Sequence, residues 1–297
     1  MFLTPIFPHM LIPQSTIENH YGYLDRALTT RDASAIDDVF DPGFMSWAGD
    51  RPRSRSVYVG GLASLVESAG TIQVSTKILR RRGLTYLVSR RVRLWERDTT
   101  SPSMTVVQVR QETWRPVGRG YLMVRQDELP LERQLRRMME ADQKTRMGKI
   151  DLEAMRRIDA QNLPRLRAIV RQYGWPSTTQ VGTEPAHNLW LLVQHMDAAP
   201  YFQKNCLRRM APLVPKGEAS PTDFAYLTDR VRVNTGQRQL YGTQWKRTDD
   251  GKWIPQPVAD PDTLAERRRK LGLPTMDEYR KQLERVYGPA TAPNSGR

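Results

Sequence analysis

Where an apolar helical run ends, the chain reads Gln194-His195-Met196-Asp197, a histidine flanked by an amide and a carboxylate. Two further polar stretches follow, Leu227-Thr228-Asp229-Arg230-Val231 and Gln239-Leu240-Tyr241-Gly242-Thr243-Gln244. Imidazole exchanges its proton near neutral pH, so His195 is the candidate general base or acid. Asp197 or Asp229 is the carboxylate expected to orient it. Gln194, Arg230, Gln239, Tyr241, Thr243 and Gln244, with Asn162 upstream, are the groups expected to grip a polar, anionic or carbonyl-bearing substrate. Hydrolysis or group transfer is the default chemistry, because no nucleotide-binding glycine loop or redox motif occurs, and no cofactor is assigned. The bland alternative is a buried polar network that pins two helices to a hairpin, every member satisfied and nothing catalysed.

Metal chemistry finds little to work with. His187 and His195 are eight residues apart, which sets them about 80° apart around a helix, and no His-x-x-x-His or cysteine pair occurs. Zinc is therefore not expected. An Mg²⁺ site built from Asp159, Asp197 and Asp229 is the weaker alternative. The single cysteine, Cys206, lies at helical spacing among apolar residues and reads as a buried, inert thiol rather than a nucleophile.

These residues need elements to position them. Ala186–Met196 reads as a helix, which would put Gln194 and Asp197 on one face. Asp223–Val233 reads as another, stopped by Asn234-Thr235-Gly236. Gln239 to Lys246 alternates like a strand, with Tyr241, Thr243 and Trp245 on one face and Leu240, Gly242 and Gln244 on the other. It is followed by Asp249-Asp250-Gly251 and Trp253-Ile254, a hairpin signal. Upstream, Leu131, Leu135, Met138 and Met139 form the apolar stripe of a charged helix reaching Gly148. Asp151 caps a helix through Ile158, and a further one runs from Leu166 past Leu163-Pro164 to Tyr173-Gly174. Thr263 to Lys270 and Met276 to Tyr287 read as exposed terminal helices.

The first part of the chain has a different rhythm. Ser15 and Thr16 precede a helix with Ile17, Tyr21, Leu24 and Leu28 at helical spacing, then a short one around Ile36 to Phe40. Phe44–Trp47 is a short strand and Tyr58–Val66 a third helix. From Thr71 the period becomes two, giving strands Thr71–Leu79, Thr85–Trp95, Met104–Trp114 and Arg119–Arg125. His20 reads as a half-buried histidine with a local partner, and Trp47 with Asp50 as core and turn. The arginines of Arg80-Arg81-Arg82, Arg90, Arg91 and Arg93 read as cross-strand pairs or a solvated face.

At 297 residues two domains are expected. The formal charge is +14. Residues 1–128 hold 17 basic against 13 acidic side chains, so about two thirds of the excess lies later, where it would attract anionic partners. Arg267-Arg268-Arg269-Lys270 is the densest run. A solvated helix face is its expected meaning, and with no nucleic-acid signature a nucleic-acid partner is not expected. No apolar stretch is long enough to span a bilayer. The N-terminus lacks the basic flank of a signal peptide, so cytoplasmic placement is expected, with export open if an upstream leader precedes this start.

Two resemblances add to this reading. Helices, a short strand, a helix and a four-strand meander in that order resemble the NTF2-like, or SnoaL-like, cone fold, which implies a pocket used for catalysis, ligand binding or dimerisation. Leu131-Glu132, Asp159 with Asn162, Gly174-Trp175-Pro176, Val181-Gly182, Gln194-His195-Met196-Asp197, Asp229-Arg230-Val231, Tyr241-Gly242-Thr243-Gln244 and Leu271-Gly272-Leu273 stand in one order. That half resembles an uncharacterised bacterial domain family (domain of unknown function 6624), a resemblance that implies no activity. The expected organisation is α+β: an extension over 1–13, an NTF2-like cone over 14–128, a mostly helical domain with a small hairpin over 129–288, and a disordered tail over 289–297. The function expected is a His195-centred hydrolase or group transferase acting on a small polar or anionic ligand. The alternative is a non-catalytic binding or assembly protein whose cone homodimerises or holds a ligand.

Overall fold

The computed structural model describes residues 16–48, 51–68, 70–95, 102–118, 120–147, 151–248 and 251–287. The expected N-terminal extension and disordered tail lie outside the described residues, as do Asp50, Arg119, Gly148, Asp249 and Asp250. The chain divides into two compact units, Met1–Arg133 with Thr179–Thr183, and Gln134–Thr178 with Glu184–Arg297.

The first unit is α+β. Helix α1 (Ile17–Thr30) ends on Arg31 in the left-handed region, and Asp32 caps α2 (Ala33–Asp37) by accepting from Ala35 N. Strands β1 (Phe40–Ala48) and β2 (Arg51–Ser54) precede α3 (Arg55–Ser68). The meander follows as β3 (Thr71–Arg82), β4 (Thr85–Trp95), β5 (Met104–Val117) and β6 (Gly120–Asp127). The sheet order is β2-β1-β6-β5-β4-β3, antiparallel except where β1 runs parallel to β6. Register shifts in β1/β6, β3/β4 and β5/β6 bend it. Sequence periodicity misses β2, because Arg51-Pro52-Arg53-Ser54 is exposed throughout and carries no alternation.

The apolar stripe of α1 closes one face of this sheet. Ile17, Tyr21, Leu24 and Leu28 pack in one core with Phe40, Phe44, Tyr86, Val88, Trp114 and Met123. Trp114 Nε1 donates to the Tyr21 hydroxyl at 2.8 Å, so these two aromatic polar tips are paired within the core. His20 accepts from Tyr121 N at 3.1 Å on Nε2 and donates from Nδ1 toward Thr16 O at 3.3 Å, so both ring nitrogens are engaged by backbone. The arginines divide. Arg80, Arg81 and Arg82 are exposed, whereas Arg90 falls in the alternating set of Tyr86 and Val88 and points inward to Glu112, at 3.3 Å.

The second unit is mostly helical. Helix α4 (Pro130–Arg146) contributes its residues from Gln134 onward, followed by α5 (Leu152–Tyr173); α6 (Thr178–Val181) belongs but for Thr178 to the first unit, and α7 (Thr183–Gln194, from Glu184 onward) and α8 (Pro200–Met210) return to the second. A 3-10 turn (Ala211–Lys216) leads to α9 (Pro221–Asn234), then to the two-stranded sheet of β7 (Trp245–Arg247) and β8 (Trp253–Pro255). A second 3-10 turn (Pro261–Thr263), α10 (Leu264–Lys270) and α11 (Met276–Tyr287) complete it. No helix among the described residues is long and apolar enough to cross a membrane.

Three local expectations are corrected. First, α5 runs unbroken through Pro164. The missing N–H costs about 3 kcal/mol, but Asp151 caps the start at Ala154 N and Leu166, Ile169 and Val170 are buried, which offsets it. Second, Gln239–Gln244 forms no regular strand, for reasons given below. Third, the basic run of α10 is not a wholly solvated face. Arg267 donates to Leu240 O, Asp260 O and Ala259 O, and the buried Arg268 donates to Pro274 O and Tyr241 O, so half of the run braces main-chain carbonyls.

Candidate functional site

The end of α7 carries the histidine, and an amide fixes that end. The last helical residues leave carbonyls without intrahelical partners. Gln203 of α8, wholly buried, donates from Nε2 to Val193 O at 3.1 Å and Gln194 O at 3.2 Å. The helix closes at Gln194, so His195 and Asp197 sit in the turn beyond it rather than on a shared helical face.

The carboxylate at the imidazole is Asp142, not Asp197 or Asp229. His195 Nδ1 lies 3.0 Å and 3.1 Å from the two Asp142 oxygens. Asp142 is wholly buried on α4 and also accepts from Arg146 Nε at 2.9 Å and Gln143 Nε2 at 2.9 Å. Burial alone would raise its pKa. The hydrogen bonds and positive charge of His195 and Arg146 outweigh that and hold the carboxyl below its ordinary value. Arg146 reaches on to Asp159 of α5 at 2.5 Å. Asp159 moves the other way, raised mainly by burial. An ionised Asp142 accepts the Nδ1 proton, which leaves the lone pair of neutral His195 on Nε2.

Asp197 and Arg230 pair with each other. Arg230 donates from Nε and Nη2 to the two Asp197 oxygens, both at 2.8 Å, and from Nη1 to Gln244 Oε1 at 3.0 Å. Asn234 Nδ2 adds a bond to Asp197 at 2.9 Å. The guanidinium expected to grip an anion is thus already occupied on three nitrogens. Its fork locks α9 to the turn that carries His195.

Asp229 is a scaffold. It is wholly buried near the end of α9, and residues 240–243 wind around its carboxylate. One oxygen accepts from Leu240 N at 2.6 Å and Tyr241 N at 3.0 Å, the other from Thr243 N and Thr243 Oγ1, both at 2.9 Å. These N–H groups point at one anion instead of a neighbouring strand, so the alternating stretch is a loop. Gly242 sits at φ 66°, and a Cβ there would come within 2.7 Å of Met276 Sδ. Gln239, also wholly buried, spans the loop from Gln244 N and O to Gln256 O. The Tyr-Gly-Thr-Gln stretch is therefore knotted to itself, and only the half-buried Tyr241 ring stands apart from this network.

The structure thus joins His195 to residues outside the expected set, Asp142 directly and Arg146 and Asp159 through it, while the hydrogen bonds of Asp229, Gln239 and Thr243 described above go to other partners. Asn162 and Gln194 are both buried, and each keeps a polar atom without a partner among the described residues. The three aspartates proposed for Mg²⁺ diverge: Asp159 to Arg146, Asp197 to Arg230, Asp229 to backbone. Among the described residues no cluster of three or more His, Cys, Asp or Glu is arranged to hold a metal ion. Cys206 is buried, which pushes its thiol up to about 12.

A second histidine–aspartate contact lies at the other end of α7. His187 Nδ1 is 3.1 Å from Asp223 Oδ2, and its ring tilts against Trp190 at 4.9 Å. The hydrogen bond to Asp223 raises its pKa above the ordinary value. A raised folded-state pKa gives stability that is full below the unfolded value and is lost as pH rises through the folded one. His187→Gln is therefore expected to melt earlier than the parent at about pH 5.5 and alongside it at about pH 9, well either side of an ordinary imidazole. Parallel thermal melts at the two pH values check this.

Residues 130–291 match a family described as "Family of unknown function (DUF6624)". No curated protein matches the chain. Among solved structures, a "Putative calcium/calmodulin-dependent protein kinase type II association domain" from Thiobacillus denitrificans is 19% identical at a TM-score of 0.31, covering 42% of this chain and 99% of its own. A "putative dehydratase from the NTF2-like family" from Streptomyces avermitilis is 12% identical at 0.30, covering 37% and 90%. A conserved protein from Planctomyces limnophilus is 10% identical at 0.32, covering 38% and 91%.

Proposed function

The chain belongs to the family of unknown function DUF6624, and we propose that within this family's domain His195 serves as general base and acid of a hydrolase or group transferase. The observation that carries the reading is the Asp142–His195 contact. A buried carboxylate held below its ordinary pKa fixes the imidazole tautomer and leaves Nε2 as the basic atom. In the reaction Nε2 removes the proton from a water or substrate hydroxyl as that oxygen bonds to an electrophilic carbon or phosphorus. The imidazolium so formed is stabilised by Asp142, which stays ionised, and its proton passes to the leaving group as the old bond breaks. Arg146 acts as a positioning residue, since it donates to Asp142 Oδ1, which His195 also contacts, and ties it to Asp159.

One observation favours a second, non-catalytic reading. Asp229 and Gln239 are wholly buried with their hydrogen bonds directed to the chain itself, which is how a structural pin looks. Under either reading these two residues are scaffold. The first unit is left with ligand binding or dimerisation, because both ring nitrogens of His20 are engaged by backbone.

Cell extract incubated with the parent and with His195→Ala, followed by untargeted metabolite profiling, tests the proposal. The expected result is that metabolites consumed by the parent persist with the variant, while the two melt together. A variant that unfolds, or one that consumes the same metabolites, removes His195 from the chemistry.

A further inference from the structure

Helix α8 turns an uncompensated basic face to water. Gln203, Cys206 and Met210 mark its buried side. On the opposite side Tyr201, Lys204 and Arg208, spaced i, i+3 and i+7, fall within an arc of about 60°. All three are exposed, Tyr201 by 83%. Helix α8 contains no acidic residue, and neither Lys204 nor Arg208 forms an ion pair among the described residues.

Helix α5 adds charge of the same sign. Arg167 and Arg171 are exposed one turn apart, ahead of Tyr173, which is 48% exposed. Both carboxylates of α5 are already taken, Glu153 by Arg157 and Asp159 by Arg146. The C-terminal ends of α5 and α8 meet, since Arg209 Nη1 lies 3.9 Å from where a Cβ on Gly174 would stand. The last turns that meet there carry Arg171, Tyr173, Arg208 and Arg209 and no carboxylate.

These residue types together narrow the partner. Guanidinium groups without a carboxylate suit phosphates, which their planar fork of N–H donors meets at two points. A tyrosine held in water beside them supplies what charge alone does not, a flat face on which an unpaired base stacks. Bases in a duplex show a protein only their groove edges, so such a face serves a single strand. A lipid surface fits less well, because the exposed side chains of α8 include no aliphatic group to enter it. Backbone charge with stacking also needs no recognition motif, and the sequence carries none.

We propose that the exposed face of α8, continued at the end of α5, binds single-stranded nucleic acid by its phosphates and stacks a base on Tyr201. None of these side chains enters the His195 contacts, so the proposal goes beyond the general-base reading and does not depend on it.

Fluorescence anisotropy with the full chain tests this, using a labelled oligouridylate of about 15 nucleotides, long enough for a typical single-strand site. The same strand annealed to its complement and a labelled polyglutamate of equal length are the controls, with co-sedimentation on phosphatidylserine vesicles. The parent is expected to bind the single strand at least about tenfold tighter than any control. Tyr201→Ala should weaken that binding about tenfold, the scale of one stacked base, and leave polyglutamate unchanged. Tyr201→Phe should keep the parent's affinity, because the ring and not the hydroxyl stacks. Lys204→Glu with Arg208→Glu should flatten the slope of log affinity against log salt by about 1.4, two phosphate contacts at about 0.7 each. Thermal melts of the tyrosine variants are expected to match the parent, the side chain being exposed, and this pair decides even where the charge reversal disturbs the fold. No binding, a control bound as tightly as the single strand, or Tyr201→Ala binding like the parent overturns the proposal.

Discussion

Asp229→Ala is expected to destabilise the C-terminal unit by about 3–5 kcal/mol, the scale for stripping a buried charge from its partners. Three backbone N–H groups and the Thr243 hydroxyl converge on this carboxylate. Removing it leaves them facing a cavity, and the loop from residue 240 to 243 has no ladder to fall back on. Asp229→Asn keeps one acceptor but turns an NH₂ toward N–H donors, so an intermediate loss is expected. Urea unfolding followed by tryptophan fluorescence measures both. A variant with the parent's midpoint but no turnover would instead place Asp229 in the chemistry.

The opposite pattern is expected at Asp142. Asp142→Asn should slow the turnover seen with extract metabolites by about 100- to 10,000-fold, the range for removing a histidine's orienting carboxylate. The asparagine amide can donate to Nδ1, which moves the ring proton to Nε2 and removes the basic atom. Stability is affected too, with a definite sign. The folded-state pKa of Asp142 is depressed, so its contribution is present above the unfolded value and lost as pH falls through the folded one. The melting deficit of Asp142→Asn is therefore expected at neutral pH and should shrink in acid, which melts across that range check.

Both results turn on a distinction that the residue types alone do not make. The amphipathic stripes of α1 and α4, the alternation of β3 to β6 and the end of α7 near His195 are all local patterns, and they are legible without coordinates. The partner of His195 is a long-range pairing across 53 residues, and nothing local announces it. One signal was nevertheless present. Leu131, Leu135 and Met138 mark the buried face of α4, and the next position on that face is Asp142. A carboxylate in a core-facing row must find a cation or a donor. Alternation misled at Gln239–Gln244, because a period of two does not distinguish a strand from a loop whose N–H groups converge on one anion. Arg230 misled in a related way. A free arginine and one locked to an aspartate look alike in sequence, and only the folded contacts with Asp197 and Gln244 reveal which this is.

The arginine brace at α10 bears on where this domain can be cut. Arg267 and Arg268 reach back to the carbonyls of Leu240, Tyr241, Ala259 and Asp260, and the Tyr279 hydroxyl donates to Thr243 O. The last two helices are therefore a cork in the loop that wraps Asp229. A shortened chain ending ahead of Leu264 would uncork it, stripping the carbonyls of Leu240, Tyr241 and Thr243 of these donors well up the chain from the cut itself.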